Sequence, residues 1–222
     1  MPFLDLGHLE PGARLGLWEI REPENWFLER LVLSAEEEAQ LAPIKGQRRV
    51  EFLAARKLVH LLSEMPDRHP LVKDPSGKPH LPHLPFSVSI SHSRGYAAAI
   101  LAEGVVGIDI QHIVGKIGRI APRFLSPAEA AAIHADARLE VLHVYWCAKE
   151  ALFKAHGKGQ VDFRRHFRVL PFIYSEEGGR FAGQIQMDAA ETRTFDMRYL
   201  RLGDHILVWA TEMPATPDLL RQ

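Results

Sequence analysis

From Leu15 to Ile20, after a leader containing proline and glycine, apolar and polar positions alternate weakly, which predicts a first strand. Ser34 stands just ahead of Glu36, Glu37 and Glu38. A hydroxyl that can cap, followed by acids near the positive end of the dipole, predicts a helix start there. Between Gln47 and Glu64 the apolar positions Phe52, Leu53, Val59, Leu61 and Leu62 predict a longer helix. Met65-Pro66 ends it, because proline disfavours helical geometry in the residue before it. Asp74-Pro75-Ser76-Gly77-Lys78-Pro79 is turn chemistry. Strands are predicted at Phe86–Ser91, Tyr96–Ala102 and Val105–Gln111. Their short links, Ser93-Arg94-Gly95 and Glu103-Gly104, suit hairpins and predict an antiparallel meander.

Ser126-Pro127, with Glu129 close behind, opens another helix. A further helix runs from Leu139 to His156 and stops at Gly157, in Gly157-Lys158-Gly159. Strands follow at Phe167–Tyr174, Phe181–Met187, Thr194–Leu200 and His205–Thr211, and the tail after Met213 is expected to be loosely held. The order predicts an α+β fold of two halves that share an interface, with a boundary between Ile110 and Pro127 and the division set at residues 1–112 and 113–222. Elements recur between the halves, but no repeat is visible residue by residue.

Composition narrows the classes. A formal net charge of −1 argues against general nucleic-acid binding, so any phosphate recognition must be local. The single cysteine, Cys147, rules out an intramolecular disulfide and argues against a cysteine zinc site. With neither a secretory signal pattern nor a membrane-spanning run, the chain is expected to be cytoplasmic and not membrane-bound.

The helix around Trp146-Cys147-Ala148-Lys149-Glu150-Ala151-Leu152-Phe153-Lys154 aligns Trp146, Glu150 and Lys154 on one face, four residues apart. Such a pair also occurs on ordinary solvated helices. Asp109, in the apolar run Val105–Ile110, adds a second carboxylate, and the two could hold Mg²⁺ beside phosphate. Ser89, Ser91 and Ser93 fall on one side of their strand beside His92; they read either as a polar turn or as hydrogen-bond donors to phosphate. Lys45, Arg48, Arg49, Arg56 and Lys57 form either a solvated helix face or a phosphate grip.

Taken together, Gly107-Ile108-Asp109, Trp146-x-x-Lys149-Glu150-Ala151-x-x-Lys154, Ser89-Ile90-Ser91-His92-Ser93, Gly77-Lys78-Pro79 and Arg123-Phe124-Leu125-Ser126-x-x-Glu129 resemble the signature of the 4'-phosphopantetheinyl transferases. The length is similar to the single-chain, surfactin-type branch, which implies two fused pseudo-symmetric halves, each a small antiparallel sheet packed with helices. The resemblance implies transfer of the phosphopantetheine arm of coenzyme A to a serine of an apo acyl or peptidyl carrier protein by a monomer. It implies Asp109 and Glu150 as Mg²⁺ ligands, and Lys154 with these two as the catalytic set. Arg49, Arg56, Lys78, Ser91, His92 and Lys154 would contact coenzyme A. The branch often has Gly-x-Asp-x-Glu, whereas Gln111 stands at the last position here; it offers the metal a neutral oxygen, directly or through water. The carrier would land near Ile117–Leu125, beside Lys116, Arg119 and Arg123. Two other readings stay open on the residues: a non-catalytic binding homologue, favoured by Gln111, and a Mg²⁺-dependent phosphohydrolase, which would need further carboxylates.

Overall fold

The computed structural model describes residues 3–9, 12–133, 138–157, 159–188 and 191–214. Lys158 and the tail from 215 onward, on which two of the expectations above fall, lie outside the described residues. Strands β1 (Phe3–Leu9) and β2 (Ala13–Glu19) are followed by helices α1 (Glu24–Leu28), α2 (Ala35–Leu41) and α3 (Gln47–Ser63). Next come β3 (Val72–Lys73), β4 (Pro79–His80), β5 (Ser87–Ser93), β6 (Tyr96–Ala102) and β7 (Val106–His112). Helices α4 (Ile117–Phe124), α5 (Pro127–Ala131) and α6 (Arg138–His156) lead into β8 (Phe167–Val169), β9 (Gly179–Asp188), β10 (Glu191–Leu202) and β11 (His205–Glu212).

The strands form two antiparallel sheets, ordered β1-β2-β6-β5-β4-β3 and β7-β11-β10-β9-β8. This corrects the expected meander. β5 and β6 do form a hairpin, but β7 pairs with β11, Asp109 opposite Val208, and not with β6. The Glu103-Gly104 link therefore crosses between sheets, and β7 belongs to the second sheet although it precedes residue 113. Other differences are local. The leader forms β1, held by β2. The segment 117–124 is helical, and β8 ends at Val169, short of Pro171.

Alternation along β6 explains the layering. Ala97, Ala99 and Leu101 face the buried side of α3, with Leu53, Leu58 and Leu62. Ala98 and Ile100, on the other face, join Leu15 and Leu17 against Ile108, Ile110, Leu207 and Trp209 of the second sheet. On that sheet's far side, Ile206, Val208 and Ala210 pack against Ala148, Ala151 and Ala155 of α6. The layers thus run helix, sheet, sheet, helix, with one sheet and one long helix on each side of the β6–β7 crossing.

A trace of repetition does exist at the level of residues. Leu33-Ser34-Ala35-Glu36-Glu37 and Leu125-Ser126-Pro127-Ala128-Glu129 both form capping boxes, at the starts of α2 and α5. In each, the glutamate is also buried against a cation on the long helix of its own half: Glu37 with Arg56 at 3.2 Å, and Glu129 with Lys149 at 2.7 Å.

Gly107 sets how closely α6 lies on β7. A methyl group there would collide with the Ala151 carbonyl oxygen and stand 2.8 Å from its carbon, all of it helix backbone. Gly107→Ala is expected to destabilise the protein by about 1–3 kcal/mol through overpacking, read as a lower urea midpoint. An unchanged midpoint would mean that α6 is free to retreat.

His143 fastens α6 to the segment after β7. Its Nε2 accepts from the Val114 N–H at 3.1 Å, so Nδ1 carries the proton and donates to the Leu139 carbonyl at 2.8 Å. Burial holds its pKa below the usual 6.5, as it does for His60 and His205. The unfolded chain thus binds more protons than the native one as pH falls from 6.5 toward the lowered values, and stability falls with it. Urea midpoints at pH 7.5 and 5.5 should show that loss, and His143→Gln should reduce it; an equal loss in the variant would exclude His143 as a contributor.

Candidate active site

The site lies where β7 meets α6. In β7, Ile108 and Ile110 face the first sheet, so Asp109, between them, turns toward α6 and is 2% exposed. Lys154 Nζ donates to Asp109 Oδ1 at 2.8 Å and to the Ile108 carbonyl at 2.9 Å. Lys154 thus pairs across the elements with Asp109, and no hydrogen bond or ion pair joins it to Glu150 one turn away. Ser91 Oγ donates to the same Asp109 oxygen at 2.7 Å, and Gln111 Nε2 donates to Oδ2 at 3.2 Å.

Glu150 is the unsatisfied member of the group. Half-buried, it has no hydrogen-bond partner among the described residues. Burial first, then the charge of Asp109, pushes its pKa up to about 7, with Lys154 pulling the other way. Two carboxylates close enough to repel, with lone pairs to spare, make a donor set that fits Mg²⁺, which is commonly held by one or two carboxylates plus substrate phosphate and water. Gln111 supports Asp109 as a hydrogen-bond donor and adds no charge. Among the described residues no cluster of three or more histidine, cysteine, aspartate or glutamate side chains could hold a metal. Cys147 is fully buried beneath the site, and burial, with Asp109 nearby, pushes its thiol pKa well above the ordinary range, which disfavours the thiolate.

Two hollows open beside α6. One, of about 480 Å³, is lined by Lys73, Lys78, Ser89, Phe153, Lys154 and Gly157. The other, about 680 Å³, is lined by Glu150, Trp146, Phe124, Arg123, Phe163 and Arg164. Trp146 stacks on Phe163 at 5.9 Å and meets Phe124 edge-on at 5.1 Å, which makes it a wall of the second hollow.

The remaining residues singled out from sequence are distributed as follows. Lys78 donates to the Ala155 carbonyl at 3.0 Å, and its neighbour Ser76 donates to the Gly157 carbonyl at 2.7 Å; the turn clasps the end of α6, where the dipole favours a cation. Gly157 takes φ +68°, and a Cβ there would meet Lys78 Cδ at 2.5 Å. His92 Nδ1 is held by Glu51 at 2.9 Å. Arg49 pairs with Glu24 at 2.8 Å and donates to the Leu41 and Ile44 carbonyls. Arg56 is buried beside Glu37, and burial lowers its pKa to about 10. The described contacts bring Ser91, Lys154, Gln111 and Glu150 around Asp109, and give Arg49 and Arg56 partners within the first half.

Sequence reasoning missed the buried pair beneath this site. Lys149 is 0% exposed, and its ammonium donates to Glu129 at 2.7 Å and to the carbonyls of Phe124 and Phe163 at 2.6 and 2.9 Å. Glu129 in turn accepts from the backbone N–H groups of Ser126 and Val169. The repeated Leu-Ser-x-x-Glu was the available signal.

Fold and site together define a two-sheet α+β protein that presents a carboxylate pair and a lysine where β7 meets α6. Residues 105–207 match the 4'-phosphopantetheinyl transferase superfamily, and residues 36–102 match the 4'-phosphopantetheinyl transferase N-terminal domain. The two matches take in well over half of the chain and divide where it crosses from β6 to β7; the chain belongs to the 4'-phosphopantetheinyl transferase family. It is 34% identical over 121 residues to the 4'-phosphopantetheinyl transferase AcpT of Escherichia coli (strain K12), a stretch covering 51% of this chain and 60% of that protein. The same figures hold for AcpT of Escherichia coli O157:H7. The chain thus spans about 60% of the length of these curated relatives. No helix among the described residues is long and apolar enough to cross a membrane.

Proposed function

We propose that this protein transfers the 4'-phosphopantetheine arm of coenzyme A to a serine of an apo acyl or peptidyl carrier protein, releasing 3',5'-ADP. The observation that carries the reading is Glu150, with no hydrogen-bond partner among the described residues, beside an Asp109 already held by Lys154. Two α+β halves in one chain, with both carboxylates on it, fit the single-chain, surfactin-type branch acting as a monomer.

Asp109 and Glu150 would hold Mg²⁺, which when bound supplies positive charge to the pyrophosphate as its phosphoanhydride breaks. The lysine-lined hollow suits the polyanionic coenzyme, with Lys78 and Lys154 as its cations and the exposed His92 as a further contact. The carrier serine Oγ bonds to the β-phosphorus while the bond to the departing 3',5'-ADP oxygen breaks, and Lys154 offsets the charge that develops. Glu150, with no hydrogen-bond partner among the described residues, would take the serine proton, directly or through water.

The test is direct. The protein is incubated with coenzyme A, Mg²⁺ and apo carrier proteins, and the carriers are weighed. The reading expects the phosphopantetheine mass increment; no increment on any carrier tried would overturn it.

Carrier recognition is assigned to α4, which buries Ile117, Ala121 and Phe124 and exposes Arg119 and Arg123, four apart on the outer face. Carrier proteins are acidic along the recognition helix, so charge reversal at both arginines should lower kcat/KM for the carrier about tenfold or more. The KM for coenzyme A should stay within about twofold. Unchanged carrier kinetics would move the landing surface elsewhere.

A further inference from the structure

Three backbone N–H groups on the free edge of the second sheet are satisfied by side chains of the first. The N–H of Ile108 donates to Ser89 Oγ at 3.1 Å, that of Ile110 to Ser91 Oγ at 3.2 Å, and that of His112 to Ser93 Oγ at 3.1 Å. Each pair is separated by 19 residues, so β5 and β7 lie in parallel register, with hydroxyls in the place of a partner strand's carbonyls. Ser89 and Ser91 pair in β6 with Ile100 and Ala98, which puts them on the apolar face between the sheets. Alanines there would leave the β7 amides buried without acceptors.

Ser91 is committed in both directions. A hydroxyl has one proton, and that of Ser91 goes to Asp109 Oδ1 at 2.7 Å while its oxygen accepts from Ile110. As long as that bond stands, Ser91 has no proton to give a phosphate.

We propose that Ser89, Ser91 and Ser93 form a hydroxyl ladder that locks the edge of β7 to β5 and so fixes the direction in which Asp109 points at α6. They are positioning residues, acting through Asp109. The ladder stands on the hydrogen bonds alone; its effect on rate rests on the transferase reading.

Ser93 gives the cleanest test, because it touches neither Asp109 nor the residues lining the lysine hollow. Amide hydrogen exchange of the full chain is compared for wild type, Ser93→Ala and Ser93→Thr. Ser93→Ala is expected to speed exchange at His112 about three- to tenfold, consistent with loss of one net hydrogen bond, with β9 and β10 unchanged and Ser93→Thr restoring protection. A general loss of stability would instead speed exchange across both sheets. Unchanged exchange at His112, or an equal increase in β9 and β10, would overturn the ladder. Should Ser93→Ala fail to fold, Ser89→Ala read at Ile108 serves the same purpose.

In the carrier assay Ser93→Ala should lower kcat about three- to tenfold, leave the KM for coenzyme A and for the carrier in place, and recover with Ser93→Thr. A faster His112 amide with wild-type kcat would show a ladder that does not govern Asp109, and would overturn the positioning role. If the wild type transfers nothing, the functional reading fails, while the exchange experiment still decides the ladder.

Discussion

Glu150→Gln is expected to lower kcat for transfer by about 10²–10³-fold, the scale seen when one electrostatic partner of a transition state is removed. The substitution keeps size and helix propensity and removes one of the two carboxylates placed between β7 and α6 among the described residues. Its loss takes away a metal oxygen donor of full charge and the acceptor for the serine proton together. Stability should move the other way. Burial and Asp109 disfavour the charged form of Glu150, and with its pKa near 7 the carboxylate works against folding at and above neutrality. The melting temperature of Glu150→Gln should therefore equal or exceed that of the wild type. A variant with wild-type kcat would remove Glu150 from the chemistry; a variant that loses activity together with many degrees of melting temperature would make its role structural.

Lys149→Met is expected to be the most destabilising single change at the site. It leaves Glu129 buried without its counter-charge, and strips a donor from the Phe124 and Phe163 carbonyls. Breaking one side of a buried pair typically costs about 3–5 kcal/mol, which for a chain of this size lowers the melting temperature by roughly 6–20 °C. Replacing both partners by apolar residues avoids the stranded charge, so Lys149→Met with Glu129→Leu should be less destabilised than the sum of the single variants. Strict additivity in thermal unfolding would show that the two do not act as a unit. The contrast with Glu150 is instructive, since adjacent residues of one motif divide the work. Lys149 points inward and ties α6 to the α4–α5 connection, while Glu150 lines the hollow beside Trp146 and Phe124.

That division was not readable from the helix alone. Periodicity located α6 and its stop at Gly157, whose N–H bonds back to the Phe153 carbonyl at 2.9 Å. It also aligned Trp146, Glu150 and Lys154, and the i,i+4 spacing made a Glu150–Lys154 pair the local expectation. Tertiary structure replaced that pair with Lys154–Asp109, 45 residues apart in sequence. The basic residues of α3 show the same limit. Charge and helical position do not distinguish a phosphate grip from an internal ion pair, and only the packing of α2 shows Arg56 buried on Glu37. The serines are the sharpest example. Alternation correctly grouped Ser89, Ser91 and Ser93 on one face, but their partners are amides of a strand whose place in the second sheet no local pattern announces.

What this sequence determined by itself is therefore what depends on neighbours along the chain: the long helices with their starts and stops, the β5–β6 hairpin, the one-sided serines, and motif residues specific enough to point to the family. Those features arise from propensity, capping and alternation, which act within a few residues. Only the tertiary structure decided that β7 leaves its neighbour for β11, that hydroxyls bridge the two sheets, and that Glu150 stands beside Asp109 with no hydrogen-bond partner among the described residues. Each of these depends on burying apolar surface between segments far apart in sequence, and on satisfying every polar group trapped by that burial.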